Sequence, residues 1–194
     1  MEREATKGRL LDTLERLGNL RRAQTRRLGG EFGLVPVQLE SLHYLAKANR
    51  YSDTPGALAE YLGITKGTMS QSIRALELKG YLIKKPDPFD KRVIHCELTK
   101  AGRKVVQATA TPEFVLDALA SLPAEEIDQS NAALEALLRA IEINQGYRTF
   151  GACRTCRYFL VEPNSYRCEL TGEELLDAET MLICRENQPR DEAS

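Results

Sequence analysis

The sequence predicts a mainly α fold of the α+β class, in which helices surround one β-hairpin and a small cysteine-containing module follows. Several segments place apolar residues three and four positions apart, which is the spacing of amphipathic helices. A single pair of short strand-like segments, joined by a proline-containing turn, is typical of a hairpin. The C-terminal segment stands out because it contains four of the five cysteines. The expected order is four helices, the hairpin, two helices and the module.

Leucine spacing and glycine interruptions define the first two predicted helices. Residues 4–28 form the first, because leucines recur on one face, at Leu10, Leu14 and Leu17. Glycines at positions 29, 30 and 33 are expected to end this helix. The helical pattern resumes over 37–48, which predicts the second helix.

Two shorter helices are predicted next, with a tight turn between them. Thr54 and Pro55 are typical of a helix start, and Gly63 of a helix end. Thr65 can cap a fourth helix that runs to about Lys79. Two short helices joined in this way match a helix-turn-helix, whose second helix enters the major groove of DNA.

The outer face of this fourth helix carries polar and basic side chains that can bond to phosphates or base edges. Gly67 on the same face would let the backbone approach DNA closely. The candidate contacts with the major groove are Thr65, Lys66, Thr68, Ser70, Gln71 and Arg74.

The hairpin is predicted over 81–98, with strands at 81–85 and 92–98 and a basic tip. Ile94, Cys96 and Leu98 fall on one side, so we expect Cys96 to be a small buried apolar residue. The basic residues of this predicted wing, which suit contacts with phosphates, are Lys84, Lys85, Lys91 and Arg92.

Two further helices complete the predicted core. Thr99 can cap a helix over 100–109, and Pro112 starts or kinks the next piece. A long helix over 124–144 carries an apolar stripe of Leu134, Leu137, Leu138 and Ile141.

Charge is distributed unevenly along the chain, although the net charge is only −1. Residues 1–30 carry eight Lys/Arg against four Asp/Glu, and residues 65–104 carry ten against four. Residues 105–145 carry one against seven. A local basic surface suits a nucleic-acid partner, while an unevenly charged solvated surface would give the same pattern.

The segment ALAEYLGITKGTMSQSIRALELKGYLIKKPDPFDKRVIHCELTKAGR resembles the multiple antibiotic resistance regulator (MarR) family, and the resemblance spans about residues 5–145. Its most specific parts are Asp87–Arg92 and Leu98–Gly102. The resemblance implies a winged helix-turn-helix regulator of transcription, a repressor by expectation, that binds double-stranded DNA and is not an enzyme. It also implies that Asp90 orients Arg92 toward the minor groove, whereas Phe89 departs from the acidic residue common there.

The same resemblance implies a homodimer that places two DNA-binding parts on a pseudo-palindromic operator. Residues 1–30 and 112–145 would form the dimerisation part, and residues 35–105, here called the reading head, would bind DNA. The leucine stripes agree, because they belong to helices remote from the reading head in sequence. Family members bind small aromatic ligands between the dimer base and the reading head, so a small-molecule effector is also implied.

The chain contains no apolar run near the roughly 18 residues of a membrane-spanning helix. Its first ten residues are charged and lack an apolar signal segment, which predicts a cytoplasmic, reducing location and no membrane partner. In that setting, clustered cysteines indicate a metal site more than disulfides.

Residues 146–194 are the predicted metal-binding module, here called the tail, with Cys153, Cys156, Cys168 and Cys184 as ligands. Four thiolates suit tetrahedral zinc. An iron–sulfur cluster or redox-active thiols without a metal fit the same residues. A segment this small would gain folding free energy from the metal. An arginine beside each cysteine is expected to offset the thiolate charge, at positions 154, 157, 167 and 185.

Two alternatives for the tail remain open from the sequence. A cysteine-based oxidoreductase could use Cys153 and Cys156, but no βαβ pattern surrounds them, and His43 and His95 lie elsewhere in the chain. The tail could also be a partner-binding module held by a structural metal, in which case it would not affect operator affinity.

Overall fold

The computed structural model describes residues 2–110 and 113–190. Helices dominate the first part of this structure, and one antiparallel hairpin interrupts them. The elements are α1 (Glu2–Glu31), α2 (Pro36–Leu45), α3 (Pro55–Tyr61), α4 (Lys66–Leu78), β1 (Leu82–Pro86), β2 (Ile94–Leu98), α5 (Lys100–Ala108), α6 (Glu113–Ala120) and α7 (Ala124–Gln145).

Threonine caps begin three of these helices, as the sequence predicts. The hydroxyl of Thr54 accepts a hydrogen bond from the amide of Ala57 at 3.3 Å, and Thr65 does the same for Thr68 at 3.2 Å. Thr99 caps α5 in the same way. Each cap satisfies a backbone N–H that has no partner within the helix.

Two predictions about helix ends were wrong or incomplete. The glycines at 29 and 30 do not end α1, which continues to Glu31, because a glycine costs a helix only about 1 kcal/mol relative to alanine. The chain turns at Gly33, whose φ of 63° suits glycine. Helix α6 was not predicted, and Pro112, expected to start or kink it, lies outside the described residues.

The hydrophobic core lies inside the reading head. Helix α2 packs on α4 and on α5, and each of the three helices also contacts the β1–β2 hairpin. The largest fully buried apolar side chains are Leu39, Leu42, Leu58, Met69, Leu76 and Leu82. Cys96 is also buried in this core, which confirms its predicted position.

The tail contains short strands and two 3₁₀ turns. Strands β4 (Phe159–Val161), β5 (Tyr166–Cys168) and β6 (Glu174–Leu175) form one antiparallel sheet. Strand β3 (Gly151–Ala152) pairs with β7 (Ile183–Cys184). The tail also docks on the reading head, because Phe150 and Ile183 pack against the main core. Within the described ranges, no helix is long and apolar enough to cross a membrane.

Candidate nucleic-acid interface

Helix α4 separates an apolar face from a polar face. Met69, Ile73 and Leu76 are buried in the core. All six predicted major-groove residues are exposed on the helix or at its cap, namely Thr65, Lys66, Thr68, Ser70, Gln71 and Arg74. The Thr65 and Thr68 hydroxyls lie 2.9 Å apart, so the two side chains at the helix start bond to each other. The remaining polar groups point outward along one surface that can meet base edges and phosphates.

The wing turn presents an oriented guanidinium. One carboxylate oxygen of Asp87 accepts hydrogen bonds from the amides of Phe89 and Asp90, both at 2.7 Å, which fixes the turn. Asp90 then accepts bonds from Arg92 Nε at 2.9 Å and Nη2 at 2.7 Å. Arg92 lowers the pKa of the Asp90 carboxyl, mainly through its side chain and further through its backbone amide. The pairing predicted for Asp90 and Arg92 is therefore present, with the Arg92 side chain 90% exposed.

The three wing lysines differ from one another in their surroundings. Lys84 lies 2.8 Å from a carboxylate oxygen of Glu77, and Lys85 lies 2.6 Å from Glu97. These ion pairs neutralise part of the basic charge along β1. Lys91 is exposed at the turn beside Phe89, whose side chain is 97% exposed. The wing tip therefore combines cations with an uncovered aromatic ring.

A histidine bridge ties the wing to the segment between α2 and α3, here called the connector (residues 46–54). His95 Nδ1 lies 2.5 Å from Asp53 Oδ1, and His95 Nε2 lies 3.2 Å from Asp87 Oδ2. The amide of Cys96 also donates to the carbonyl of Asp53 at 2.7 Å. Sequence reasoning missed this bridge, because Asp53 and His95 are 42 positions apart and only the fold brings them together.

The bridge predicts a stability that depends on pH. Burial alone would lower the pKa of His95, but the bonds with Asp53 and Asp87 outweigh burial and raise it above the ordinary 6.5. The bridge therefore stabilises the fold fully below about pH 6.5, and this stabilisation is lost as the pH rises through the pKa that His95 has in the folded state. His95→Gln should lower the free energy of unfolding more at about pH 5.5 than at about pH 8.5, as measured by urea denaturation.

His43→Gln is the control for this prediction, because burial lowers the pKa of His43 and its contribution has the opposite sign. An equal loss of stability at both pH values for His95→Gln would contradict a charged bridge.

The four tail thiols line one small cavity, here called the thiol pocket. Cys153, Cys156 and Cys184 are buried and Cys168 is half-buried, and all are free thiols. The cavity has a volume of about 60 Å³, and Tyr51 of the connector forms part of its wall. Within residues 2–110 and 113–190, no group of three or more His, Cys, Asp or Glu side chains is arranged so that it could hold a metal ion.

Hydrogen bonds reach the sulfur atoms of this pocket from several sides. Asn49 Nδ2 donates to Cys153 Sγ at 3.6 Å, and the amide of Gln188 donates to Cys156 Sγ at 3.5 Å. A hydrogen bond from Cys153 lowers the pKa of Cys184 to about 6, and the same contact raises the pKa of Cys153. The pair therefore favours one thiolate and one thiol.

The neighbouring arginines do not serve the thiols as expected. Three pair with carboxylates instead: Arg154 with Asp177 at 2.8 Å, Arg167 with Glu162 at 2.8 Å, and Arg185 with Glu60 at 2.7 Å. Arg157 lies over the ring of Tyr158. The prediction from sequence adjacency was wrong because carboxylates at the surface are more accessible to these arginines than the buried sulfur atoms are.

A second, larger cavity of about 990 Å³ lies between α1, α3, α7 and the start of the tail. Tyr61, Tyr147 and Phe150 give it aromatic walls. Its charged wall residues have both signs, namely Arg21, Arg148, Glu40, Glu60 and Glu142. The sequence did not predict this cavity, because its walls come from five separate segments, although Leu138 and Ile141 of its wall belong to the predicted apolar stripe of α7.

Comparison with known proteins places this geometry in a family. The model of the MarR family matches residues 32–93, which run from the turn after α1 to the end of the wing turn. An uncharacterized helix-turn-helix-type transcriptional regulator of Mycobacterium bovis is 30% identical over 110 residues, which cover 55% of this chain and 77% of that protein. A helix-turn-helix-type transcriptional regulator of Mycobacterium tuberculosis matches to the same extent.

Two solved structures share the fold. The DNA complex of MepR from Staphylococcus aureus has a TM-score of 0.56 at 24% identity, over 66% of this chain and 95% of MepR. The DNA complex of FabT from Streptococcus pneumoniae has a TM-score of 0.58 at 23% identity, over 70% of this chain and 97% of FabT. From its family match and its relatives, the chain belongs to the MarR family of winged-helix transcriptional regulators, which are DNA-binding proteins and not enzymes.

Proposed function

We propose that the chain is a dimeric repressor that binds a pseudo-palindromic operator, with α4 in the major groove and the β1–β2 wing at the minor groove. The proposal rests mainly on the geometry of the wing tip, where Asp90 binds the guanidinium of Arg92 while the Arg92 side chain stays exposed to solvent. The polar outer face of α4 lies in the same reading head. MepR and FabT, which share this fold, were both solved in complexes with DNA.

The dimer is supported by two helices whose apolar side chains are uncovered. No described residue of α7 is buried, and its apolar residues Leu134, Leu138 and Ile141 are each about half-exposed. Leu10, Leu11 and Leu17 are similarly exposed on α1. Exposed apolar stripes of this kind mark protein–protein interfaces. We propose that a second copy covers them, and that the 990 Å³ cavity, with its aromatic walls, takes a small aromatic effector.

The proposal is tested by footprinting and sedimentation of the full chain. The expected footprint, on DNA upstream of the chain's own operon, has two half-sites about one helical turn apart. Leu134→Glu should weaken dimerisation by at least about a hundredfold, because carboxylates would be buried without partners, and the footprint should disappear with the dimer.

Leu176→Glu, at an exposed leucine of the tail, is the matched control and should change neither result. A wild-type chain that sediments as a monomer at micromolar concentration would overturn the dimer. A wild-type dimer that leaves no footprint would overturn the operator.

A further inference from the structure

We infer that Cys153, Cys156, Cys168 and Cys184 form one four-thiolate site for a soft divalent cation such as zinc, and that Asn49 anchors this site to the reading head. The site itself is independent of the proposed operator binding. Only its effect on DNA affinity, considered below, rests on that function.

Convergence of the four thiols on one cavity is the first observation. They come from a 3₁₀ turn and its end, from β5 and from β7, and three of them are buried. In the described residues the four side chains line one cavity but are not yet arranged to hold a metal ion. Binding a cation would release the thiol protons, form four metal–sulfur bonds and draw the sulfur atoms toward one centre, each at about 2.3 Å from the metal.

The cavity between the thiols is small, with a volume of about 60 Å³. A lone tetrahedral cation needs little more than the gap between the four sulfur atoms.

Amide donors supply the second observation, because they surround the sulfur atoms as supporting groups do around metal ligands. The amide of Gln188 donates to Cys156, and Asn49 Nδ2 donates to Cys153. The arginines, by contrast, are engaged with carboxylates or a ring. The charge of a thiolate site would therefore be offset by amide dipoles.

Weak packing within the tail is the third observation. Among the described residues of the tail, Leu175 is the only buried apolar residue besides the cysteines, and Tyr51, Phe159 and Tyr166 pack around this small core. Such a core is too small to hold five short strands by apolar burial alone. Metal binding would add the missing folding free energy.

Asn49 connects this pocket to the reading head. Asn49 is only 2% exposed. Its side-chain Oδ1 accepts hydrogen bonds from the backbone amide of Tyr51 at 3.1 Å and from Ser52 Oγ at 2.7 Å. Its backbone N–H donates to the carbonyl of Ile183 at 2.9 Å. Asn49 thus bonds to the pocket and to the connector together. The connector also carries Asp53, which holds the wing through His95.

Cobalt(II) is the probe for the site, because a tetrahedral cobalt thiolate has characteristic visible absorption. The full chain, stripped with a chelator, should take up one Co²⁺ with that spectrum and release it to Zn²⁺. Cys168→Ser should abolish the spectrum, and Cys96→Ser, which removes the thiol outside the tail, should leave it unchanged. Asn49→Ala should weaken metal affinity by about 10- to 100-fold while the tetrahedral spectrum remains.

Two results would overturn the site. They are a featureless cobalt spectrum of the unmutated, fully reduced chain, and iron with acid-labile sulfide in protein purified without oxygen. The unmutated chain gives these answers even if serine at position 168 unfolds the tail.

Control of the reading head is measured as operator affinity of the zinc-loaded and chelated chain. Tighter binding by the loaded form, about 5- to 150-fold, is expected from the connector, and Asn49→Ala should reduce the difference. Equal affinities would overturn the control and would indicate a structural metal or a partner-binding tail. Failure of both forms to bind any operator would instead contradict the proposed function, and the cobalt result would stand.

Discussion

Arg92→Ala is expected to weaken operator binding by roughly 10- to 100-fold, since a specific arginine contact with DNA contributes about 1–3 kcal/mol. The structure provides the reason. Asp90 fixes the guanidinium through two side-chain nitrogens, so little conformational freedom remains to be lost when DNA binds. Arg92→Glu should weaken binding further, because it places a carboxylate against phosphate. Both changes should make the dependence of binding on salt less steep.

Stability separates this effect from unfolding. The Arg92–Asp90 pair is exposed, and exposed ion pairs contribute little to the folded state. The melting temperature of both variants should therefore stay close to that of the wild type. Arg157→Ala, which removes an exposed arginine of the tail, is the matched control for DNA binding. Unchanged operator affinity in Arg92→Glu would exclude the wing contact.

Gly102→Ala should have the largest effect on stability, a loss of about 1–3 kcal/mol or more. A Cβ atom at position 102 would lie 2.0 Å from the carbonyl oxygen of Tyr81. That carbonyl accepts the amide of Thr99 at 3.0 Å, so it cannot retreat without breaking the bond that joins the hairpin to α5. The melting temperature should fall by about 2–4 °C for each kcal/mol lost.

Gly56→Ala is the control for position 102. No atom lies within 4 Å of a Cβ built there, and alanine is the better helix former. This variant should be as stable as the wild type or more so. A melting temperature for Gly102→Ala equal to that of Gly56→Ala would show that β1 and α5 are not tightly joined in solution.

Local chemistry explains why much of the reading head was predictable. Threonine caps and glycine turns act within a few residues, so the bounds of α3 and α4 follow from adjacent sequence. The Asp90–Arg92 pair spans two positions and was found through the family motif. Such features require no knowledge of the fold.

Features that depend on distant segments could not be predicted in this way. Three such features join parts of the chain that lie dozens of positions apart. They are the His95–Asp53 bridge, the pairing of Arg185 with Glu60 and the docking of Phe150. For helix α1 a local signal was misleading instead, because Gly29 and Gly30 predicted the end of a helix that continues to Glu31. The small cost of two glycines was overcome by the helix around them.

The docking of Phe150 couples the stability of the reading head to that of the tail. Its ring lies 5.2 Å from that of Tyr61 and 6.3 Å from that of Tyr44, and Arg185 holds Glu60 through two bonds nearby. Peeling the tail away would uncover Tyr44, which is buried in the main core. The docked tail therefore contributes to the stability of the reading head, and we expect a ligand that binds only the folded, docked tail to raise the unfolding free energy of the DNA-binding core as well.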